Sequence, residues 1–81
     1  MTSDTEIRAW LIRQIADYLS LPADLIDPAT PLQTYGLNSI LALTLSVDIE
    51  DHFGLLVDAE LAWDLETVDA ITAHLTSALT P

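Results

Sequence analysis

Tyr35-Gly36-Leu37-Asn38-Ser39-Ile40 is the stretch around which the rest of the chain is arranged. Gly36 permits a backbone bend, and Asn38 is a strong N-cap residue type. Ser39 then occupies the first position of a helix that runs through Leu41 to Phe53. Its hydroxyl lies beside backbone N–H groups that no helical carbonyl reaches, at the positive end of the helix dipole. Such a place suits a phosphate, so a serine there can bear a covalent phosphodiester at little electrostatic cost.

Working outward from this point, the helix closes at Phe53-Gly54, with Gly54 placed as a left-handed residue beyond its end. Its apolar residues fall on two stripes. Leu41, Leu45 and Ile49 recur every four positions and, with Phe53, are expected to face the core. Ile40, Leu43 and Val47 lie to another side, beside Thr44, Glu50 and Asp51. An apolar strip bordered by acids next to an attachment serine has the composition of a docking face.

Upstream, Ser3-x-x-Glu6 has the spacing of a capping box, and Ile7, Trp10, Leu11, Gln14, Ile15, Tyr18 and Leu19 follow at helical intervals. A helix from Asp4 to Leu19 is predicted, with Trp10 and Tyr18 in the core. Arg8 and Arg13 are expected on its outer side, solvated or paired with Asp4, Glu6 or Asp17. Leu21-Pro22 stops that helix, and Pro22, Pro28 and Pro31 keep residues 21–37 from forming another long one. A connection of this length needs a function or apolar ties, which Leu25, Ile26 and Leu32 supply.

Downstream, Asp58 starts a brief helical turn through Leu61 to Trp63. Thr67 caps a last helix on which Val68, Ile71, Leu75 and Leu79 repeat at three- and four-residue intervals. The prediction is an all-α four-helix bundle with three main helices, one short helix and a long first loop, forming one domain over residues 1–81.

Gly36-Leu37-Asn38-Ser39-Ile40 resembles the phosphopantetheine attachment motif of acyl carrier proteins, usually Gly-x-Asp-Ser-Leu or Ile. The resemblance extends through Phe53-Gly54, Leu61, Thr67-Val68 and His74-Leu75. It implies that Ser39 carries 4'-phosphopantetheine from coenzyme A, whose thiol holds an acyl group as a thioester. It implies recognition by partners through Ile40, Leu43, Thr44, Val47, Glu50 and Asp51, although many carriers have glutamate where Thr44 stands. The family usually has aspartate before the serine; Asn38 keeps the capping oxygen and loses the charge. In similar carriers an acyl chain enters between the second and third helices. Leu45, Ile49, Val57, Ala62 and Ile71 fit either such a cleft or an ordinary core.

The partners so implied are a phosphopantetheinyl transferase, an acyl-AMP ligase or acyltransferase that loads the thiol, and a downstream synthase or condensing enzyme. Leu43-Thr44-Leu45, Asp48-Ile49-Glu50-Asp51 and Leu61-Ala62-Trp63-Asp64 look like those of stand-alone carriers paired with fatty acyl-AMP ligases in bacterial lipid, polyketide or lipopeptide pathways. Leu65-Glu66-Thr67 departs from that subtype, which often has an aromatic residue and proline before the threonine. A carrier of a modular polyketide or nonribosomal peptide synthase is the nearest alternative.

Bulk properties limit the remaining classes. The 81 residues include 13 acids, two arginines, no lysine and no cysteine, for a net charge of −11. Five acids and both arginines fall in residues 1–38, and eight acids with no base in 39–81. Such a chain lacks the cations needed to neutralise a nucleic-acid backbone, and its partners are expected to present basic surfaces, with salt weakening their docking. Without cysteine, stability rests on packing. No apolar run approaches a membrane span, and residues 1–6 lack a secretion signal, so a cytoplasmic monomer is expected. No residue is assigned a catalytic role: a triad of Ser39 with His52 or His74 and an aspartate is disfavoured, because the serine lacks a Gly-x-Ser-x-Gly elbow and the chain is too small for the sheet that presents one. Neither histidine has a partner at zinc spacing, and no Asp-rich calcium loop is present. The remaining alternative of another class is an unmodified acidic interaction module or nucleic-acid mimic.

Overall fold

Three polar residues start the long helices. Ser3 Oγ accepts the Glu6 N–H at 3.2 Å, Asn38 Oδ1 the Leu41 N–H at 2.8 Å, and Thr67 Oγ1 the Ala70 N–H at 3.1 Å. Each satisfies one of the donors that a helix start leaves without a carbonyl. The structure, a computed structural model, describes residues 3–79. It contains α1 (Asp4–Leu19), α2 (Ser39–Phe53), a short α3 (Leu61–Leu65) and α4 (Val68–Leu79), with 3₁₀ turns at Ala23–Leu25 and Leu32–Tyr35. The all-α bundle with one short member is the predicted architecture.

α1 ends in a Schellman arrangement. The Leu21 N–H reaches the Ala16 carbonyl at 2.9 Å and the Ser20 N–H that of Asp17 at 3.3 Å, with Ser20 left-handed at φ 55°. Pro22 therefore follows the stop rather than making it. α2 ends on Gly54 at φ 65°, whose N–H donates to the Glu50 carbonyl at 2.9 Å.

α1 packs chiefly on α4, and α2 on α3. Ile7, Leu11, Ile15, Leu32, Leu45, Ile49, Val68, Ile71 and Leu75 are fully enclosed between these pairs. Leu45, Ile49, Ala62 and Ile71 belong to this core, with Val57 half-buried against it. Arg8 differs from expectation. Its Nε donates to Asp69 Oδ1 of α4 at 3.0 Å, so its partner is sixty-one residues away and not on its own helix.

The α2 stripes also shift. The buried line is Ala42, Leu45, Ser46 and Ile49, whereas Leu41 and Phe53 are only half-buried. Steps of four residues overshoot a full turn by about 40° each, so a line drawn from Leu41 to Phe53 winds out of the core at both ends. The Ser46 hydroxyl lies 3.2 Å from the Asp58 and Ala59 carbonyls and 3.3 Å from that of Ala42. This fixes the segment before α3 against the middle of α2. Asp58 organises that segment, its Oδ1 accepting the Glu60 N–H and its carbonyl the Leu61 N–H.

In the first loop, Ile26 and Leu32 are the ties. Leu25 is 60% exposed, because the 3₁₀ turn ends on it and extended backbone at Ile26 turns the next side chain inward. Among the described residues no helix is long and apolar enough to cross a membrane.

Candidate functional site

The loop leading to Ser39 is held at three places before the helix begins. Tyr35 Oη accepts the Asp27 N–H at 2.8 Å, the Leu32 N–H donates to the Glu66 carbonyl at 2.7 Å, and the Leu37 N–H to that of Leu32 at 3.2 Å. Leu32 and Leu37 are buried on either side of the bend, and Gly36 makes it at φ 102°. A Cβ on Gly36 would meet nothing within 4 Å, so the demand for glycine is conformational and not one of space. Asn38 follows in extended backbone, at φ −114° and ψ 177°.

Ser39 is thereby presented on the outside of the molecule. Its hydroxyl makes no hydrogen bond among the described residues. The Asn38 carboxamide oxygen takes the Leu41 N–H, which leaves the amides of Ser39 and Ile40 without acceptors there. An oxygen bearing a negative phosphodiester fits this place: it is reachable, it is at the positive end of α2, and free N–H groups lie next to it.

The residues named as a recognition face lie along the same helix. Ile40 is 73% exposed, Leu43 48% and Val47 49%. Thr44 is exposed, its hydroxyl donating back to the Ile40 carbonyl at 3.0 Å. Asp51 is exposed and Glu50 half-buried. Two further apolar residues, which the helical pattern of α2 could not reveal, stand out on the α2–α3 side: Leu56 in the connection, at 88%, and Trp63 on α3, at 41%.

The far end of α2 is aromatic. His52 is exposed, as a solvated histidine would be, and also stacks on Trp10 with ring centroids 4.6 Å apart; Phe53 meets both rings edge-on. Midway, the Tyr18 hydroxyl donates to Asp48 Oδ2. Burial, and then the Asp48 carboxylate, hold the Tyr18 phenol well above its usual pKa.

A cleft of about 640 Å³ lies between α1 and α4, bordered by Arg8, Asp69 and Thr72, and not at Ser39. A tethered group presented outward to other proteins needs no pocket at its anchor. Among the described residues no group of three or more His, Asp or Glu gathers to hold a metal ion.

Comparison with known proteins agrees with this geometry. Residues 9–75 match the phosphopantetheine attachment site family. The chain belongs to that family of carrier domains, which bear covalently attached 4'-phosphopantetheine. It is 37% identical over 73 residues to polyketide synthase ThaQ of Burkholderia thailandensis, which covers 90% of this chain and 4% of that protein. It thus spans a few per cent of the length of the curated relatives it matches. The crystal structure of a free-standing peptidyl carrier protein from Acinetobacter baumannii superposes with a TM-score of 0.92 at 32% identity, covering 96% of this chain and 98% of that one. The solution structure of acyl carrier protein LipD from Actinoplanes friuliensis gives a TM-score of 0.76 at 36% identity, covering 95% and 86%.

Proposed function

We propose that residues 1–81 form one carrier unit in which Ser39 bears the phosphopantetheine, and that it passes acyl or peptidyl thioesters between enzymes of a polyketide, lipid or peptide biosynthetic pathway. The observation that carries this reading is the free, outward hydroxyl of Ser39 at the start of α2 on a loop clamped at both sides. In this reading Ser39 Oγ would attack the coenzyme A phosphorus that bears the pantetheine arm, its proton passing to a base of the transferase while the new O–P bond replaces the one to the departing nucleotide. When bound, the group supplies a thiol that holds the cargo as a thioester. Asn38 orients the first turn of α2, and the dipole of that helix stabilises the negative phosphodiester.

Tethering raises the concentration of cargo at whichever enzyme docks, so modest affinity suffices and the carrier can leave again. Ile40, Leu43, Thr44, Val47, Glu50 and Asp51 form the recognition face in this reading. The names of the relatives favour polyketide or peptide assembly as the setting. An acyl-AMP ligase is the proposed loading enzyme, and a condensing enzyme the acceptor.

The test is intact mass after incubation with coenzyme A and a broad-specificity phosphopantetheinyl transferase. One phosphopantetheine on the native chain and none on Ser39→Ala is the expected result. No addition, where a control carrier is modified, would favour an unmodified acidic interaction module. Incubating the modified protein with candidate ligases, ATP and different acids then identifies the loading step by the mass of the thioester.

A further inference from the structure

The bend before Ser39 is a small unit closed on itself. The Leu37 N–H returns to the Leu32 carbonyl at 3.2 Å, the Gly36 N–H to that of Gln33 at 3.1 Å, and the Thr34 N–H to that of Pro31 at 3.0 Å. Among the described residues, one backbone hydrogen bond fastens this unit to an element outside the first loop and α2: the Leu32 N–H donates to the Glu66 carbonyl at 2.7 Å. Glu66 presents that carbonyl from left-handed backbone, φ 70° and ψ −34°, at the centre of a three-residue turn closed by the Thr67 N–H on the Leu65 carbonyl at 2.8 Å. Such a turn around a residue with a Cβ is rare and strained. The Glu66 N–H makes the last bond of α3, to the Ala62 carbonyl at 3.2 Å. Ending α3 accounts for that N–H but not for where the carbonyl points.

We infer, on the carrier reading above, that Glu66 is a positioning residue for Ser39 and acts through its backbone. Three hydrogen bonds in line, Glu66 to Ala62, Leu32 to Glu66 and Leu37 to Leu32, run from the end of α3 to the second residue before Ser39. Leu32 and Leu37 are buried, so the unit stays on the protein even without the Glu66 bond. What the bond adds is the angle at which the unit leads through Asn38 into the first turn of α2. The Glu66 side chain is exposed and makes no ion pair among the described residues, so its carboxylate is not the working part. The residues of α2 that face a partner lie outside this line. Losing the bond therefore slows reaction at the Ser39 oxygen and leaves affinity for the carrier in place, because a misdirected nucleophile costs rate before it costs binding.

The experiment follows the kcat and KM of phosphopantetheine transfer by a broad-specificity transferase, together with amide signals of the labelled protein by NMR and folding by circular dichroism. Glu66→Val opposes left-handed backbone, since a β-branched residue rarely adopts it, whereas Glu66→Gly admits φ 70° without a Cβ. Glu66→Thr, also β-branched, takes the place of valine if that variant fails to fold. In Glu66→Val the Leu32 amide proton should move upfield, as an amide losing a short hydrogen bond does, while those of Leu11 and Ile71 hold. Its kcat should fall about tenfold with KM within about twofold. Glu66→Gly should restore both the Leu32 signal and kcat. Ser46→Ala removes the hydroxyl that lies 3.2 Å from the Asp58 and Ala59 carbonyls on the other side of α3, and should keep kcat within about twofold. A Leu32 signal unmoved in Glu66→Val, a kcat unchanged once that signal has moved, a loss carried by KM, a Glu66→Gly variant that fails to restore the rate, or an equal loss in Ser46→Ala each overturns the inference and leaves the carrier reading intact. No phosphopantetheine on the native chain, read by intact mass, removes the carrier reading and the inference with it.

Discussion

Two non-glycine residues hold left-handed backbone, Ser20 at φ 55° and Glu66 at φ 70°. Both end helices, where the chain must reverse, and both lack the freedom of glycine that Gly36 and Gly54 have at comparable sites. Ser20→Gly and Glu66→Gly should each stabilise the fold by about 1 kcal/mol, measured by urea denaturation, because the native conformation then carries no Cβ penalty. Asn38 is the opposite case. Asn38→Ala should cost about 1 kcal/mol by removing the oxygen that holds the Leu41 N–H, while Asn38→Asp should keep that bond and gain roughly 0.3–1 kcal/mol from a carboxylate at the helix start. A stability loss in Asn38→Asp would mean that the charge, and not the cap, governs this position.

At the scale of elements, the helix limits were legible because their signals are local. Ser3, Asn38 and Thr67 cap, and Gly54 stops, within four residues of the groups they satisfy. The position of Ser39 in the first turn of α2 was legible for the same reason. Contacts between elements were not. Arg8 finds Asp69, His52 finds Trp10, and Ser46 finds the Asp58 and Ala59 carbonyls across the bundle, where no spacing in the sequence connects them. The orientation of α2 lay in between: the exposed stripe was readable, but the buried one needed α3 and the first loop to define its centre. The distinction is measurable. Leu45→Ala, in the fully enclosed stripe, should lower stability by about 2–5 kcal/mol, whereas Leu43→Ala, half-exposed on the other face, should stay within about 0.5 kcal/mol. Equal losses would place Leu43 in the core.

For the molecule as a whole, the titrating groups set how stability responds to its surroundings. Tyr18 links α1 to α2 through Asp48, and its phenol has a raised pKa in the folded state. The folded state therefore keeps its proton where the unfolded chain, with a tyrosine pKa near 10, releases it. The stabilisation is complete below about pH 10 and is lost as pH rises beyond that. Tyr18→Phe should be less stable at neutral pH by about 0.5–1.5 kcal/mol, the net worth of one hydrogen bond, and should show a shallower loss above about pH 10 by thermal melts. A parallel pair of curves would mean that Tyr18 titrates alike in both states.

The net charge of −11 acts over longer range than any of these contacts, and only two arginines oppose it. One of them, Arg8, joins α1 to α4 through Asp69, and two arginines cannot pair with most of the 13 acids. Repulsion among them strains the compact state more than the expanded one, so screening should favour folding. Between about 0.01 M and about 0.15 M NaCl the midpoint of thermal unfolding should rise by about 4–8 °C, which corresponds to roughly 1 kcal/mol for a domain of this size. A melting temperature indifferent to salt would show that the acids are too dispersed to repel.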